Sequence, residues 1–435
     1  MDNRIRVFGG LALVAVLFVS SLGLLIWRDA QADPVNADSP SDVDGDGTGS
    51  DSTGSDSTGS DSTGSDGTGS DGTATDDDAD GDGTTSGGGE QGPLEEFVDE
   101  AVAFIENLRG APFKEQPVVL ALPEEAFVAR VEGDLEADFA QEPELVVRNT
   151  TVQRAMGFIE PDQTSDEVLR QFLAAGVLGF YDPETKELVV RQTAELDLLT
   201  KSTIVHELTH AYDDQHYDLD RPELKDDDFT ERSWTFTAVA EGSASHVETR
   251  WVETLTAGQQ ADLAQQEANF GDPSVFLAFD FAYLLLQISV YVEGEPYVDA
   301  IVEIGGYDLL EATFMDLPLT SEEVMEFGSV VDDFSVDVPV PSVEGDVAWE
   351  GVGGQVVLDS LFAGTFSGNE EAATGWGGDA MVFYRDDAES CVRWDIVMDT
   401  EADEQELVDA LRQWSALRGG TVSIVDDRVR LDRCA

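Results

Sequence analysis

Three features of this sequence predict an α+β fold, largely helical with a small sheet and followed by a smaller C-terminal α/β portion. Long segments carry apolar residues at helical spacing, above all Leu94–Leu108, Leu198–Asp214 and Thr230–Leu255. Short β-branched runs such as Pro117–Leu122, Val177–Tyr181 and Glu187–Arg191 fall between them. Past residue 344 the pattern turns to strand, strand, helix and hairpin.

The chain opens with 21 consecutive uncharged, mostly apolar residues from Val7 to Trp27, enough for a helix of about 30 Å. Arg4 and Arg6 precede this run and an acidic stretch follows Arg28, so the positive-inside rule puts the remainder of the chain outside the cell. Ala30-Gln31-Ala32 also has the form of a signal-peptide cleavage site, but the apolar run is long for a signal. Residues 1–32 therefore read as a retained membrane anchor or an uncleaved signal. Residues 33–93 are low in complexity, repeat Asp-(Gly or Ser)-Thr-Gly-Ser units between Asp46 and Ser70 and cannot bury a core, so they read as a disordered acidic linker.

The folded part begins at residue 94. Phe97, Val98, Ala101, Phe104, Ile105 and Leu108 give the first helix its apolar stripe. Pro117–Leu122 and Leu145–Arg148 read as strands, and Ser165–Ala175 as a helix. Asn149-Thr150-Thr151 is a glycosylation sequon, of use only on an external face. Val177–Tyr181 and Glu187–Arg191 read as strands around an Asp182-Pro183 turn, with an edge strand expected just before the next helix. Val275–Val292 is strongly apolar but is interrupted by Asp280 and Gln287, so it reads as a buried helix. Helical stretches continue to about Phe327, and an acidic loop with Pro339 and Pro341 ends a domain at 94–343. Residues 344–435 hold strands Met381–Tyr384 and Val392–Met398, helix Asp403–Leu417 and a hairpin at Asp426-Asp427.

Charge and cysteine content bound the function. Net charge is −68, and the 23 basic residues comprise 19 Arg and four Lys. Nucleic acid and anionic lipid are poor partners for such a chain, so the membrane is met through the N-terminal helix and no nucleic acid is expected. A body this acidic is at ease in molar salt, where the Debye length falls to about 3 Å. Cys391 and Cys434 are too few for a disulfide scaffold; one bridge in an exported chain and two unpaired thiols both remain open.

His206-Glu207-Leu208-Thr209-His210 holds half of the four histidines in five residues. On a helix, positions i and i+4 share a face, so both imidazoles reach one metal while Glu207 stands beside its open position as general base. Zn2+ is the expected ion, and a zincin-like metallopeptidase domain is the expected fold. A catalytic zinc needs a third protein ligand. Glu241, in Ala240-Glu241-Gly242, offers a carboxylate from the next helix. His216 offers an imidazole ten residues after His206, but that route needs a sharp turn, usually at Gly, where Asp213 stands. Ala238, Ala240, Gly242, Ser243 and Ala244 would allow the second helix to approach the metal helix closely. Tyr307, Tyr384, Arg385 and Trp376 are the candidate donors to a developing oxyanion.

The segment from His206 through His216 to Leu219, the Ala240-Glu241-Gly242 run, Gly305-Gly306-Tyr307 and Gly375-Trp376-Gly377-Gly378-Asp379 together resemble a family of extracellular zinc-metallopeptidase-like proteins found on haloarchaeal surfaces. The resemblance covers most of Leu94–Tyr384. It implies His206, His210 and Glu241 as ligands, Glu207 as catalytic base, a peptide or protein substrate, and a membrane-tethered extracellular enzyme. The alternative is a catalytically silent surface interaction protein that keeps the fold.

Overall fold

The computed structural model describes residues 92–435 apart from 142, 194, 222–223, 225–230, 271–278, 329–334 and 364–370. The expected anchor and linker lie outside the described residues. Among the described residues no helix is long and apolar enough to cross a membrane.

The fold is α+β. Helix α1 (Pro93–Arg109) starts with Pro in its first turn and ends on left-handed Gly110. β1 (Val118–Leu122) leads to α2 (Glu124–Gln141) and α3 (Pro143–Met156). Leu145–Arg148, read as a strand, lies inside α3: Pro143 opens the helix, and Leu145, Val152, Ala155 and Met156 are buried along it. The β-branched Val146-Val147 pair is outweighed by that packing. Asn149 and Thr151 are buried in the same helix, so the sequon faces the interior.

α4 (Ser165–Gly176) precedes β2 (Gly179–Asp182) and β3 (Glu187–Arg191). These strands and β1 form a three-stranded sheet in the order β1-β3-β2, with β1 parallel and β2 antiparallel to β3. The strand immediately before the metal helix, β3, is therefore central, and the edges are β1 and β2. Leu178 and Asp182 carbonyls face β3; by alternation, the backbone groups of Gly179 and Tyr181 point to the other side. A face of β2 meets the metal helix, where a Cβ on Gly179 would lie 3.0 Å from Thr203.

Helix α5 (Leu198–Tyr217) packs between this sheet, α1 and α6 (Glu231–Val252). Ile204, Val205, Leu208, Ala211 and Tyr212 share one core with Phe97, Ala101 and Ile105 of α1 and with Leu188 and Val190 of β3. Beyond α7 (Ala257–Asn269), helices α8 (Phe281–Val292) and α9 (Gly294–Met315) cover the other side of α6. Of the small residues of α6, Gly242 serves that contact, since a Cβ on it would sit 2.2 Å from the Gly294 carbonyl oxygen and α6 and α9 meet backbone to backbone, whereas Ser243 faces Asp213 of α5.

The short α10 (Ser321–Met325) precedes a five-stranded antiparallel sheet, β4 (Asp346–Gly351), β5 (Trp376–Asp386), β6 (Glu389–Met398), β7 (Thr421–Val425) and β8 (Arg428–Cys434), in the order β4-β5-β6-β8-β7. Helices α11 (Gly354–Ala363) and α12 (Glu401–Arg418) accompany it. Trp376, Trp394, Leu411 and Trp414 share a core with Val152, Ala155 and Met156 of α3. Cys391 pairs with Cys434 across β6 and β8, and the two are joined by a disulfide. The expected hairpin holds: Asp426 and Asp427 both have positive φ, as a two-residue β-turn of this hand requires.

Asp379 ties the sheet together internally, accepting from Gly353 and Gly354 N–H (2.8 Å each) and from Trp376 Nε1–H (2.9 Å). Gly354, at φ 75°, lies against Glu231 at the start of α6, where a Cβ would stand 1.9 Å from Oε1. Glu231 accepts from the Ser321 N–H (2.6 Å) and Oγ–H (3.0 Å). Burial pushes the Glu231 carboxyl up to about 8 despite those hydrogen bonds. It keeps its proton in the folded chain while the unfolded chain loses it near the ordinary 4.5, so this group's stabilisation falls as pH rises from about 5 to 8. Glu231→Gln removes the titration. Denaturant unfolding at pH 5 and pH 8 will show the variant gaining on the wild type, by on the order of a few kcal/mol at the higher pH. A difference that does not change with pH refutes this reading.

Candidate metal centre

Asp197 starts α5 by accepting from Thr200 N–H through its side chain (2.9 Å). The helix then runs without a break past the motif to Tyr217. His206 and His210 point from it toward Glu241 of α6, and all three side chains are completely buried. Glu241 Oε2 lies 3.2 Å from His206 Nε2 and 3.3 Å from His210 Nε2. All three ligand atoms fall within 4.8 Å of one another, and the group could hold a metal ion.

The residues fit such an ion on three counts. A tetrahedral ion with bonds of about 2.0–2.1 Å spaces its ligand atoms about 3.3 Å apart, the separation found at Glu241. His210 Nε2 stands at that distance yet makes no hydrogen bond, and Glu241 Oε1 is also without one. His206 Nε2, by contrast, is within hydrogen-bonding distance of Glu241 Oε2. Third, His206 Nδ1–H donates to Glu248 Oε2 (3.0 Å), whose other oxygen accepts from Ser202 Oγ–H (2.6 Å). With Nδ1 so engaged, Nε2 faces the Glu241 carboxylate at 3.2 Å, and a positive charge, either a proton or a metal ion, is needed between them.

The electrostatics show the same need. Burial disfavours a charged His206, but Glu241 and Glu248 prevail and push its pKa up to about 10. Burial dominates at His210 and lowers its pKa. Burial opposes ionisation of Glu241, yet the two imidazoles hold it below the usual range. Glu207, between the ligands in sequence, is fully buried with neither oxygen hydrogen-bonded. Burial pushes it up to about 8, against the His206 charge and the Tyr181 backbone amide on the β2 edge. Two buried carboxylates beside a third, Glu248, are costly unless a cation joins them.

His216 takes no part. Six residues beyond His210 on the same unbroken helix, it is about 9 Å further along the axis. Its Nε2–H donates to the Pro112 carbonyl (3.1 Å), and its ring stacks on Tyr212. His246 donates from Nδ1–H to Asp299 and accepts at Nε2 from Tyr307 O–H (2.9 Å). Of the other oxyanion candidates, Trp376 commits its N–H to Asp379, while Tyr384 and Arg385 pair with Val347 and Asp346 of β4 and with Cys391 and Ser390 of β6.

Sequence reasoning missed Glu248 and a buried ion pair behind the centre. Arg109, the last residue of α1, lies 2.8 Å from Asp213, and neither side chain is exposed. Glu248 is seven residues past Glu241, two helical turns along the same face, and that spacing was the available signal.

Residues 345–433, the span of the C-terminal sheet, match a family model described as a domain of unknown function, DUF8575. No curated protein and no solved structure matches the chain.

Metal content separates the third-ligand alternatives. Wild type is expected to hold one metal ion per chain by elemental analysis, His216→Ala to hold the same, and Glu241→Ala to lose it. Equal metal in wild type and Glu241→Ala would remove Glu241 from the site.

Proposed function

We propose that this chain is a zinc-dependent metallopeptidase, zincin-like in its metal-bearing domain, tethered at the membrane with its folded body outside the cell. The observation that carries the reading is the convergence of His206, His210 and Glu241 with the buried Glu207 carboxylate beside them. Two imidazoles and one carboxylate, with a position left open, form the donor set of catalytic zinc. When bound, zinc supplies Lewis acidity, lowering the pKa of water to about 7 and polarising a carbonyl.

The chain's own residues supply the rest. Glu207 takes the proton from the attacking water at its carboxylate and delivers it to the leaving amine of a peptide. Burial raises its proton affinity, the direction that a general base requires. Glu248 holds the His206 ring in one tautomer. The Cys391–Cys434 bond suits an exported chain, and the resemblance to haloarchaeal surface proteins points to the same compartment. The proposed substrate is a peptide or protein.

One observation favours a second reading. His206, Glu207, His210 and Glu241 all have zero exposure, so substrate reaches them only after part of the covering structure moves. A surface interaction protein that keeps the metal centre as a buried strut has no such requirement.

The two readings part at Glu207→Gln. The peptidase loses cleavage of a peptide library by about 100-fold or more while retaining its zinc, and a chelator abolishes the remainder. Cleavage that survives both treatments refutes the peptidase. Absent cleavage in wild type, together with partner binding unchanged in Glu207→Gln, supports the interaction protein.

A further inference from the structure

The two imidazoles are held in different ways. His206 is oriented by a direct hydrogen bond from its outer nitrogen to Glu248. The corresponding nitrogen of His210, Nδ1, is buried with no hydrogen-bond partner. A ligand imidazole of that kind is placed only by its backbone and by packing. The backbone of α5 just past His210 is where the molecule concentrates its restraints.

Asp213 stands three residues after His210, close to one helical turn. Ser243, two residues after Glu241, donates Oγ–H to Asp213 Oδ2 (2.6 Å) and accepts from Arg109 Nη1–H (3.0 Å). Arg109 Nη2 lies 2.8 Å from Asp213 Oδ1 and donates to Tyr217 Oη (3.3 Å). The Oδ1 contact is an ion pair by distance, without the alignment of a hydrogen bond. The guanidinium also sits over the rings of Tyr212 (4.9 Å) and Tyr307 (5.3 Å). Both members of the ion pair have zero exposure, so the desolvation cost is high, and stability alone is a weak reason to keep it. Immediately downstream, Lys114 and Glu115 N–H donate to Gln215 Oε1 (2.7 and 2.9 Å), extending the restraint to the end of α5.

We infer that Arg109 is a positioning residue for the metal centre, fixing His210 against Glu241 by locking α5 to α6 through Asp213 and Ser243. It touches neither ligand. Helix α1 thereby sets metal affinity from outside the two helices that carry the donors. The inference rests on the metal-binding reading above and adds to it a third element on which that site depends.

The test uses the full chain in molar salt with Co2+ as probe, reading affinity by chelator competition and coordination geometry by visible absorption. Arg109→Lys keeps the charge but loses the planar fork that spans Asp213, Ser243 and Tyr217. It is expected to weaken cobalt binding by about 10-fold or more, as loss of an outer partner does, and to shift the absorption band. Ser243→Ala, a small change that leaves the ion pair in place, is expected to lower affinity in the same direction by a lesser factor. Arg430→Lys is the control: it loosens another buried carboxylate, Asp395, held at 2.6 and 2.7 Å in the C-terminal sheet, and is expected to leave cobalt affinity and spectrum unchanged. Wild-type affinity and spectrum in both Arg109→Lys and Ser243→Ala overturn the inference while the metal centre stands. A loss in Arg430→Lys as large as in Arg109→Lys overturns it too, since the effect is then general destabilisation. No cobalt in wild type removes the metal reading itself and this inference with it. Should Arg109→Lys fail to fold, Ser243→Ala decides alone.

Discussion

The organising constraint is a carboxylate, Glu241, buried without solvent between two imidazoles. Charge in that position is tolerable only if its neighbours compensate it, and the neighbouring elements are arranged to do so. Helix α5 presents both imidazoles from one face, and α6 presents Glu241 and Glu248 two turns apart. Gly242 lets α9 close on the far side of α6 without displacing it. The sheet edge at Tyr181 brings a backbone amide toward Glu207. Loss of any of these contacts leaves a buried charge poorly compensated.

The legible part of the site was the part encoded locally. His206 and His210 announce themselves through the i, i+4 relation, and Glu241 through a carboxylate set among small residues on the following helix. Glu248 did not, because it is one acid among 91 and its meaning depends on a ring reached only in three dimensions. Arg109 was further out of reach: it meets Asp213 across 104 positions of chain. Fold class, the two long helices and the terminal hairpin follow from periodicity and turn chemistry. Leu145–Arg148 misled because a β-branched pair is a local signal, whereas Pro143 and the core beneath α3 decide the helix. The edge strand misled for a related reason. Strand order is a non-local property, and β1, arriving from upstream in parallel, takes the place beside β3.

The two acidic residues after the motif show how much a single step along a helix separates in role. Asp213 faces Arg109 and Ser243. Asp214 faces the opposite way, accepting from Tyr181 O–H (2.6 Å) and Lys186 Nζ–H (2.7 Å) at the β2–β3 turn. Each ties α5 to a different neighbour, so neighbouring acids in a chain rich in solvated carboxylates are here internal fasteners.

The seat of Glu231 carries a consequence for the order in which the molecule is made. The helix that delivers Glu241 begins at a carboxylate held by Ser321, 90 residues downstream, and pressed against Gly354, further still. Contacts of that span form late, after the closure entropy of the intervening chain has been met. Helix α6 is therefore without its anchor until the segments that build α10 and α11 have emerged. In a chain synthesised from its N-terminus, that moment falls after most of the polypeptide has been made. The metal-binding geometry is then completed late, and the choice of metal belongs to whichever medium the chain folds in.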